Sequence, residues 1–146
     1  MDYRRPAIIC DLDNCLCDAS HRMDLFHQGK MSEFESRLFL DPVNKQVAAI
    51  IACLSKSYEI LFVTARGKHL WEPTVSWLKS HIPQGISWKL FMRETANSDG
   101  KAKEIIYNEN IKGKYDIFFA LDDRDDCVKM WRSLGIKCFQ VDDGNY

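Results

Sequence analysis

At 146 residues, with 46% hydrophobic and 28% charged side chains, the chain has the size and composition of one globular domain that can bury a core without staples. Its 20 basic and 21 acidic residues nearly cancel to a net charge of -1, which argues against a protein that coats long stretches of nucleic acid and leaves room for a local basic pocket. No apolar run approaches the roughly 20 residues that span a membrane, and "DYRRPAIIC" after Met1 is no secretory signal. The cysteines at 10, 15, 17, 53, 127 and 138 are therefore expected to be reduced thiols of a cytoplasmic protein, not a disulfide framework.

Taken in order, strand-like "AIIC" (7–10) comes first and runs into "DLDNCLCD". "DPVNKQVAAIIACLSKS" follows a linker and keeps helical spacing at Val43, Val47, Ile50, Ile51 and Leu54. Strand-like "YEILFV", helical "LWEPTVSWLKSH", strand-like "WKLFM" and helical "GKAKEIIYNENI" come next. "YDIFFAL" reads as a buried strand, "DCVKMWRSLG" as a helix ending at Gly135, and "IKCFQV" as a last strand. Five strands alternating with four helices predict an α/β fold, a parallel five-stranded sheet covered on both faces. The chain, 1–146, reads as a single domain. Residues 16–42 break the rhythm, with polar turns, unevenly spaced Phe residues and a helix-like piece after Ser32. Lying after the first strand, this insertion would sit above the carboxyl edge of the sheet, as a small cap or a long surface loop.

The polar residues fall at the strand ends. Strand one ends at Asp11 and Asp13, strand two at Thr64 with Arg66 after it, and strand four at Asp122 and Asp123, while Lys101 and Lys103 open the preceding helix. Carboxylates gathered at one sheet edge repel each other unless a cation relieves them. Oxygen ligands without histidine or cysteine point to Mg²⁺. A carboxylate in that setting can act as a nucleophile and form an acyl phosphate. Its neighbour two residues on can give and take protons, and a hydroxyl and an ammonium can hold phosphoryl oxygens.

"DLDNC", "FVTAR", Lys103 and "LDDR" follow the order of four motifs that resemble the haloacid dehalogenase (HAD) superfamily of phosphatases. Within it, the tail "ALDDRDDCVKMWRSLGIKCFQVDDGNY", "SHR" and "LFMRETANSDGKAKEIIY" resemble the 3′-phosphatase domains of bacteriophage polynucleotide kinase-phosphatases. The resemblance implies a Rossmann-like HAD fold, Asp11 as nucleophile and Asp13 as general acid/base. Thr64 and Lys103 would bind the transferring phosphate, Lys103 being preferred to Lys101 because it precedes "EIIY". Asp122 and Asp123 would hold Mg²⁺ with Asp11 and the Asp13 carbonyl. Arg22, Arg66, Asp99 and, at a shorter spacing from Lys103, Arg93 map onto the substrate side; Trp131 and Arg132 are expected to pack and brace.

The implied reaction is hydrolysis of a phosphomonoester through an aspartyl-phosphate, with a 3′-phosphorylated nucleic-acid end as first substrate and a nucleotide or other small phosphate ester as alternative. No membrane partner is expected, and a homo-oligomer is left open. Since no G-x-x-x-x-G-K-[ST] occurs, any kinase partner would be a separate chain. Cys15 replaces the usual threonine of the first motif, so the loop is expected to be looser there. Three rivals are weaker. C-x5-R counting from Cys15 or Cys17 lands on His21 or Met23, against a cysteine phosphatase. A phosphoacceptor signalling domain would place its lysine last. A non-catalytic phosphate-binding module would not need every catalytic position filled.

Overall fold

The structure is a computed structural model, and it describes residues 3–145. Five strands, β1 (Arg5–Cys10), β2 (Glu59–Gly67), β3 (Trp88–Arg93), β4 (Tyr115–Asp122) and β5 (Cys138–Gln140), form one sheet in the order β3-β2-β1-β4-β5. Every pairing is parallel. Central strands of such a sheet are buried on both faces and need unbroken apolar runs. Ala7 to Cys10 and Ile60 to Val63 supply them, and all eight are buried. The expected α/β class and strand number are both observed.

Strand alternation divides the core in two. Ile8, Cys10 and Phe62 face Val47 and Ile51 of α3 (Lys45–Leu54) and Trp77 and Leu78 of α4 (Trp71–His81). Ala7, Ile9, Leu61 and Val63 face Ile106 of α5 (Asp99–Ile106) and Val128 and Trp131 of α6 (Asp125–Ser133). The helices after β1 and β2 thus cover one face, and those after β3 and β4 the other. Between β1 and β4 the connections diverge, which opens a crevice at the carboxyl ends of those strands.

Boundaries differ from expectation where local chemistry intervenes. β2 continues past Val63 to Gly67, carrying Thr64 and Arg66 on a defined strand end. The helix expected over 100–111 ends at Ile106 and continues as a π-helical turn, Tyr107–Ile111. α6 ends at Ser133, just before the expected Gly135, which closes it: its φ of +79° suits glycine, its N–H bonds to the Arg132 carbonyl and the Ile136 N–H to that of Trp131, a Schellman closure.

Residues 16–42 hold α1 (Met23–His27) and α2 (Met31–Ser36), with 3-10 turns at Ser20–Arg22 and Leu38–Leu40. Only the second helix was signalled by sequence, and it begins at Met31. The two ends of the insertion are stitched by main-chain bonds, Asp18 N–H to the Pro42 carbonyl and Asn44 N–H to the Leu16 carbonyl, at 2.9 and 2.7 Å. The Trp77 indole N–H also donates to the Asp41 carbonyl at 2.9 Å, fixing the insertion to α4. Among the described residues, no helix is long and apolar enough to cross a membrane.

Candidate active site

The floor of the crevice is built on the ends of β1 and β4. Asp11 follows β1, its N–H bonded to the Leu121 carbonyl at 3.0 Å, and Asp122 closes β4 with Asp123 beside it. A carboxylate oxygen from each of these three buried residues lies within 4.8 Å of the others. Lys103, four residues into α5 from Asp99, points its Nζ to Asp11 Oδ1 at 2.9 Å and Asp122 Oδ2 at 2.7 Å. The Trp131 indole N–H donates to the same Asp122 oxygen at 2.9 Å. Lys101 lies outside this cluster, exposed and paired with Glu104 at 3.3 Å. Burial pushes the Asp11 carboxyl well above its usual range, Lys103 opposes that, and Asp122, Asp123 and Asp13 add to it. Burial disfavours the Lys103 ammonium, but Asp11 and Asp122 outweigh it and raise its pKa.

Three carboxylates held this close repel one another, and a cation between them would relieve that repulsion. The donor set is all oxygen, which suits a hard divalent cation. Asp13 does not join this set through its carboxylate, so only its backbone carbonyl is left as a candidate ligand. Thr64, buried at the end of β2, accepts the Arg66 N–H at 3.2 Å and lines the cleft beside the floor.

A second charged cluster stands next to the first. Arg66 Nε and Nη2 donate to the two Asp13 oxygens at 2.9 and 2.7 Å, and Arg22 Nη2 donates to Asp13 Oδ1 at 2.7 Å. Arg22 also forks onto Asp41, Nε to Oδ1 at 2.8 Å and Nη2 to Oδ2 at 2.6 Å. Arg66 reaches Thr74 Oγ1 at 3.1 Å, and His21 Nε2 lies 2.7 Å from Asp41 Oδ1. Burial alone would raise the Asp13 pKa, but Arg66 and Arg22 hold it well below the usual carboxylate range. Asp13, Cys17 and Asp41 also lie close together. Two guanidinium groups already satisfy those carboxylates, so this cluster does not call for a metal.

The loop between the clusters explains two residues of the first motif. Asn14 has φ +58°, a left-handed conformation that asparagine tolerates better than most residues, and its Oδ1 accepts the Ala19 N–H at 3.1 Å. Cys15 is buried in the core with its Sγ 4.0 Å from that of Cys10. The loop is closed by main-chain bonds, Cys15 and Cys17 N–H to the Leu12 carbonyl at 3.1 and 3.0 Å, which require no hydroxyl. Burial pushes the Cys15 and Cys17 thiols up, which disfavours a thiolate nucleophile. All six cysteines are free.

Above the floor opens a cleft of about 790 Å³, lined by Asp11, Asp13, Arg22, Thr64, Arg66, Arg93, Asp99, Lys103 and Asp123. The sequence-predicted residues therefore converge on one cavity, Asp122 lying just beneath it. Asp99, in the first turn of α5, pairs with Arg93 and with Arg124 Nη1, the latter at 2.6 Å. Sequence reasoning did not single out Asp41 or Arg124. Arg124 stood within the quoted "LDDR", directly after the acids, and that adjacency was its signal. Asp41 had none, because its partner Arg22 lies 19 residues away. The chain's end also serves the site: a Cβ on Gly144 would stand 1.9 Å from the Asp123 carbonyl, so only glycine lets the tail lie against that loop.

Comparison with known proteins agrees with this geometry. The model of the family described as polynucleotide kinase PNKP phosphatase domain matches residues 5–146. A putative bifunctional polynucleotide kinase/RNA ligase of Autographa californica nuclear polyhedrosis virus is 28% identical over 134 residues, 89% of this chain and 18% of that protein. A chain of the solved Pnkp1/Rnl/Hen1 RNA repair complex and one of a solved Pnkp1/Rnl/Hen1 complex superpose with TM-scores of 0.84 and 0.83 at 30% and 29% identity. They are matched over 98% and 100% of this chain but only 44% and 49% of their own length. The chain thus spans under half of those structures and less than a fifth of the viral relative. It belongs to the family of HAD-type polynucleotide kinase phosphatase domains.

Proposed function

We propose that this phosphatase domain is a Mg²⁺-dependent phosphomonoesterase that removes 3′-phosphates from nucleic-acid ends through an aspartyl-phosphate on Asp11. The observation that carries the reading is the buried floor, where the Asp11, Asp122 and Asp123 carboxylates gather and the Lys103 ammonium pairs with Asp11 and Asp122. Asp11, Asp122 and Asp123 would hold the cation, which when bound supplies Lewis-acid polarisation of the phosphoryl group. An Asp11 oxygen attacks phosphorus, the P–O bond to the sugar breaks, and the alcohol leaves with a proton. Thr64 and Lys103 hold the phosphoryl oxygens during that transfer. Water then attacks the acyl phosphate, releasing inorganic phosphate and restoring the Asp11 carboxylate.

Asp13 is the proton carrier in this scheme, and its two arginines set its starting state. Held as a carboxylate, it is suited to accept the water proton in the second step. To donate to the leaving alcohol in the first, it must be protonated, which requires Arg22 and Arg66 to loosen toward the incoming phosphate. Arg22 and Arg66 are thus positioning residues for Asp13 before they are ligands for substrate.

The 3′ assignment rests on the family match and on near-neutral net charge, which favours a small footprint at an end. The test compares phosphate release from 3′-phosphorylated and 5′-phosphorylated oligonucleotides and from 3′- and 5′-mononucleotides. The 3′-phosphorylated end is expected to be preferred. A clear win for 5′-mononucleotides would overturn the polynucleotide assignment while leaving the phosphatase chemistry intact.

A further inference from the structure

The cleft has two unlike walls. One carries the charges already described; the other, contributed by the insertion, presents Met23 and Phe26 of α1 and Met31 and Phe34 of α2 beside Glu35, which pairs with His69. These four side chains belong to neither hydrophobic core, and none is fully buried. Phosphate and a cation have no use for such a surface. The cleft volume, about 790 Å³, lies within the range of pockets that take an organic ligand of several rings. The Phe26 and Phe34 rings meet with centroids 5.5 Å apart at 51°, forming a notch and not a flat stack. The Arg22 guanidinium lies 4.3 Å over the Phe34 ring, so the group that holds Asp13 also fixes this wall.

We propose that the Phe26–Phe34 wall is the platform on which the base of the phosphate-bearing terminal nucleoside stacks. The proposal rests on the 3′-end reading above and adds the element that reads the end as a nucleotide. An aromatic platform accepts any base, because every base has a π face, so little base preference is expected. The competing role for the two rings is to pack α1 against α2 and nothing more.

The experiment measures kcat/KM on two 3′-phosphorylated oligonucleotides, one ending in a normal nucleotide and one in an abasic tetrahydrofuran residue. An alkyl phosphate without a ring serves as a third substrate. Wild type is expected to favour the base-bearing end by about tenfold, chiefly through KM. Phe26→Leu and Phe34→Leu keep apolar bulk in the insertion and remove the π face. Each is expected to bring that preference to within about threefold while changing the abasic substrate little. Equal treatment of the two ends by wild type, a comparison that needs no variant to fold, would overturn the platform. So would equal losses on both ends in the variants, which mark packing alone. Release from the alkyl phosphate but from neither oligonucleotide would instead reject the 3′-end reading.

Discussion

The two charged clusters of the cleft sit side by side and differ in how far the protein completes them. In the clamp, Asp13 and Asp41 are matched by Arg22 and Arg66 through forked hydrogen bonds, and it is balanced by its own residues. On the floor, Lys103 pairs with Asp11 and Asp122, and Asp11, Asp122 and Asp123 bring carboxylate oxygens within 4.8 Å of one another. Buried charges are tolerated only when paired. The clamp is therefore closed by its own ion pairs, whereas the floor gathers three carboxylates as the oxygens proposed to hold a cation. Substitutions in the floor should cost activity more than stability, and substitutions in the clamp should cost both.

The largest break in that pattern comes from Asp11→Asn. It removes the proposed nucleophile and one of three mutually repelling carboxylates, so turnover should vanish while the melting temperature holds or rises. Phosphate release and a thermal melt on one preparation check both halves; full activity in a folded variant would sink the mechanism. Asp13→Asn comes next. It should slow esters of sugar alcohols by about 10²–10⁴-fold and activated aryl phosphates far less, since only the former need a donated proton. Equal losses on both substrates would count against the acid role.

Asp41→Ala tests the clamp itself. It takes both forked bonds to Asp41 from Arg22, which is 2% exposed, and only a 3.5 Å ion pair from Arg66. Breaking a buried pair from one side costs about 3–5 kcal/mol, which urea unfolding would read directly. Loss of activity without loss of stability would mean that Asp41 orients the arginines but does not hold the insertion in place.

That Asp41 emerges only in three dimensions shows where sequence reading stops. Asp11, Asp122 and Asp123 were legible because an apolar strand that ends in acids is costly without a reason, and the strand pattern places those ends together. Lys103 was legible against Lys101 by its place before "EIIY", and the helical turn puts the two on different faces. The Asp41–Arg22 pair has no such local grammar, since it forms by folding a 27-residue insertion (16–42) back onto itself. The first helix of that insertion, Met23–His27, is five residues long and has no apolar period to reveal it. Trp131 was read as packing, and it does pack, yet its indole N–H also holds Asp122.

The three gathered carboxylates of the floor predict a response to cation that can be read without turnover. Mg²⁺ at about a hundred times its dissociation constant should stabilise the fold by about 2.7 kcal/mol. EDTA should reverse that shift and stop phosphate release. Asp123→Asn should shrink the shift, and Asp41→Ala should leave most of it, because the clamp is not among the oxygens proposed to hold the cation. A Mg²⁺ shift that disappears with Asp41 but survives Asp123→Asn would invert the assignment of the two clusters. Ca²⁺ should bind but support little turnover, because its looser coordination suits in-line transfer badly.

The smallest effect belongs to a residue that sequence alone could confuse with the lysine proposed to hold the phosphate. Lys101 and Lys103 both lie in the first turns of α5, two positions apart. Two residues along a helix is about 200°, so the side chains leave on opposite sides. Lys103 is 2% exposed and bonded to the floor, whereas Lys101 is exposed and meets Glu104 across one turn. An exposed pair of that kind contributes about 0–1 kcal/mol. Lys101→Ala should therefore leave unfolding free energy within about 0.5 kcal/mol and turnover within about twofold of wild type. Lys103→Ala should lose turnover and leave Asp11 and Asp122 facing each other without their ammonium. If Lys101→Ala lost activity while Lys103→Ala kept it, α5 would have to be rotated by half a turn from its place in the structure, and the floor would have to be rebuilt around the other lysine.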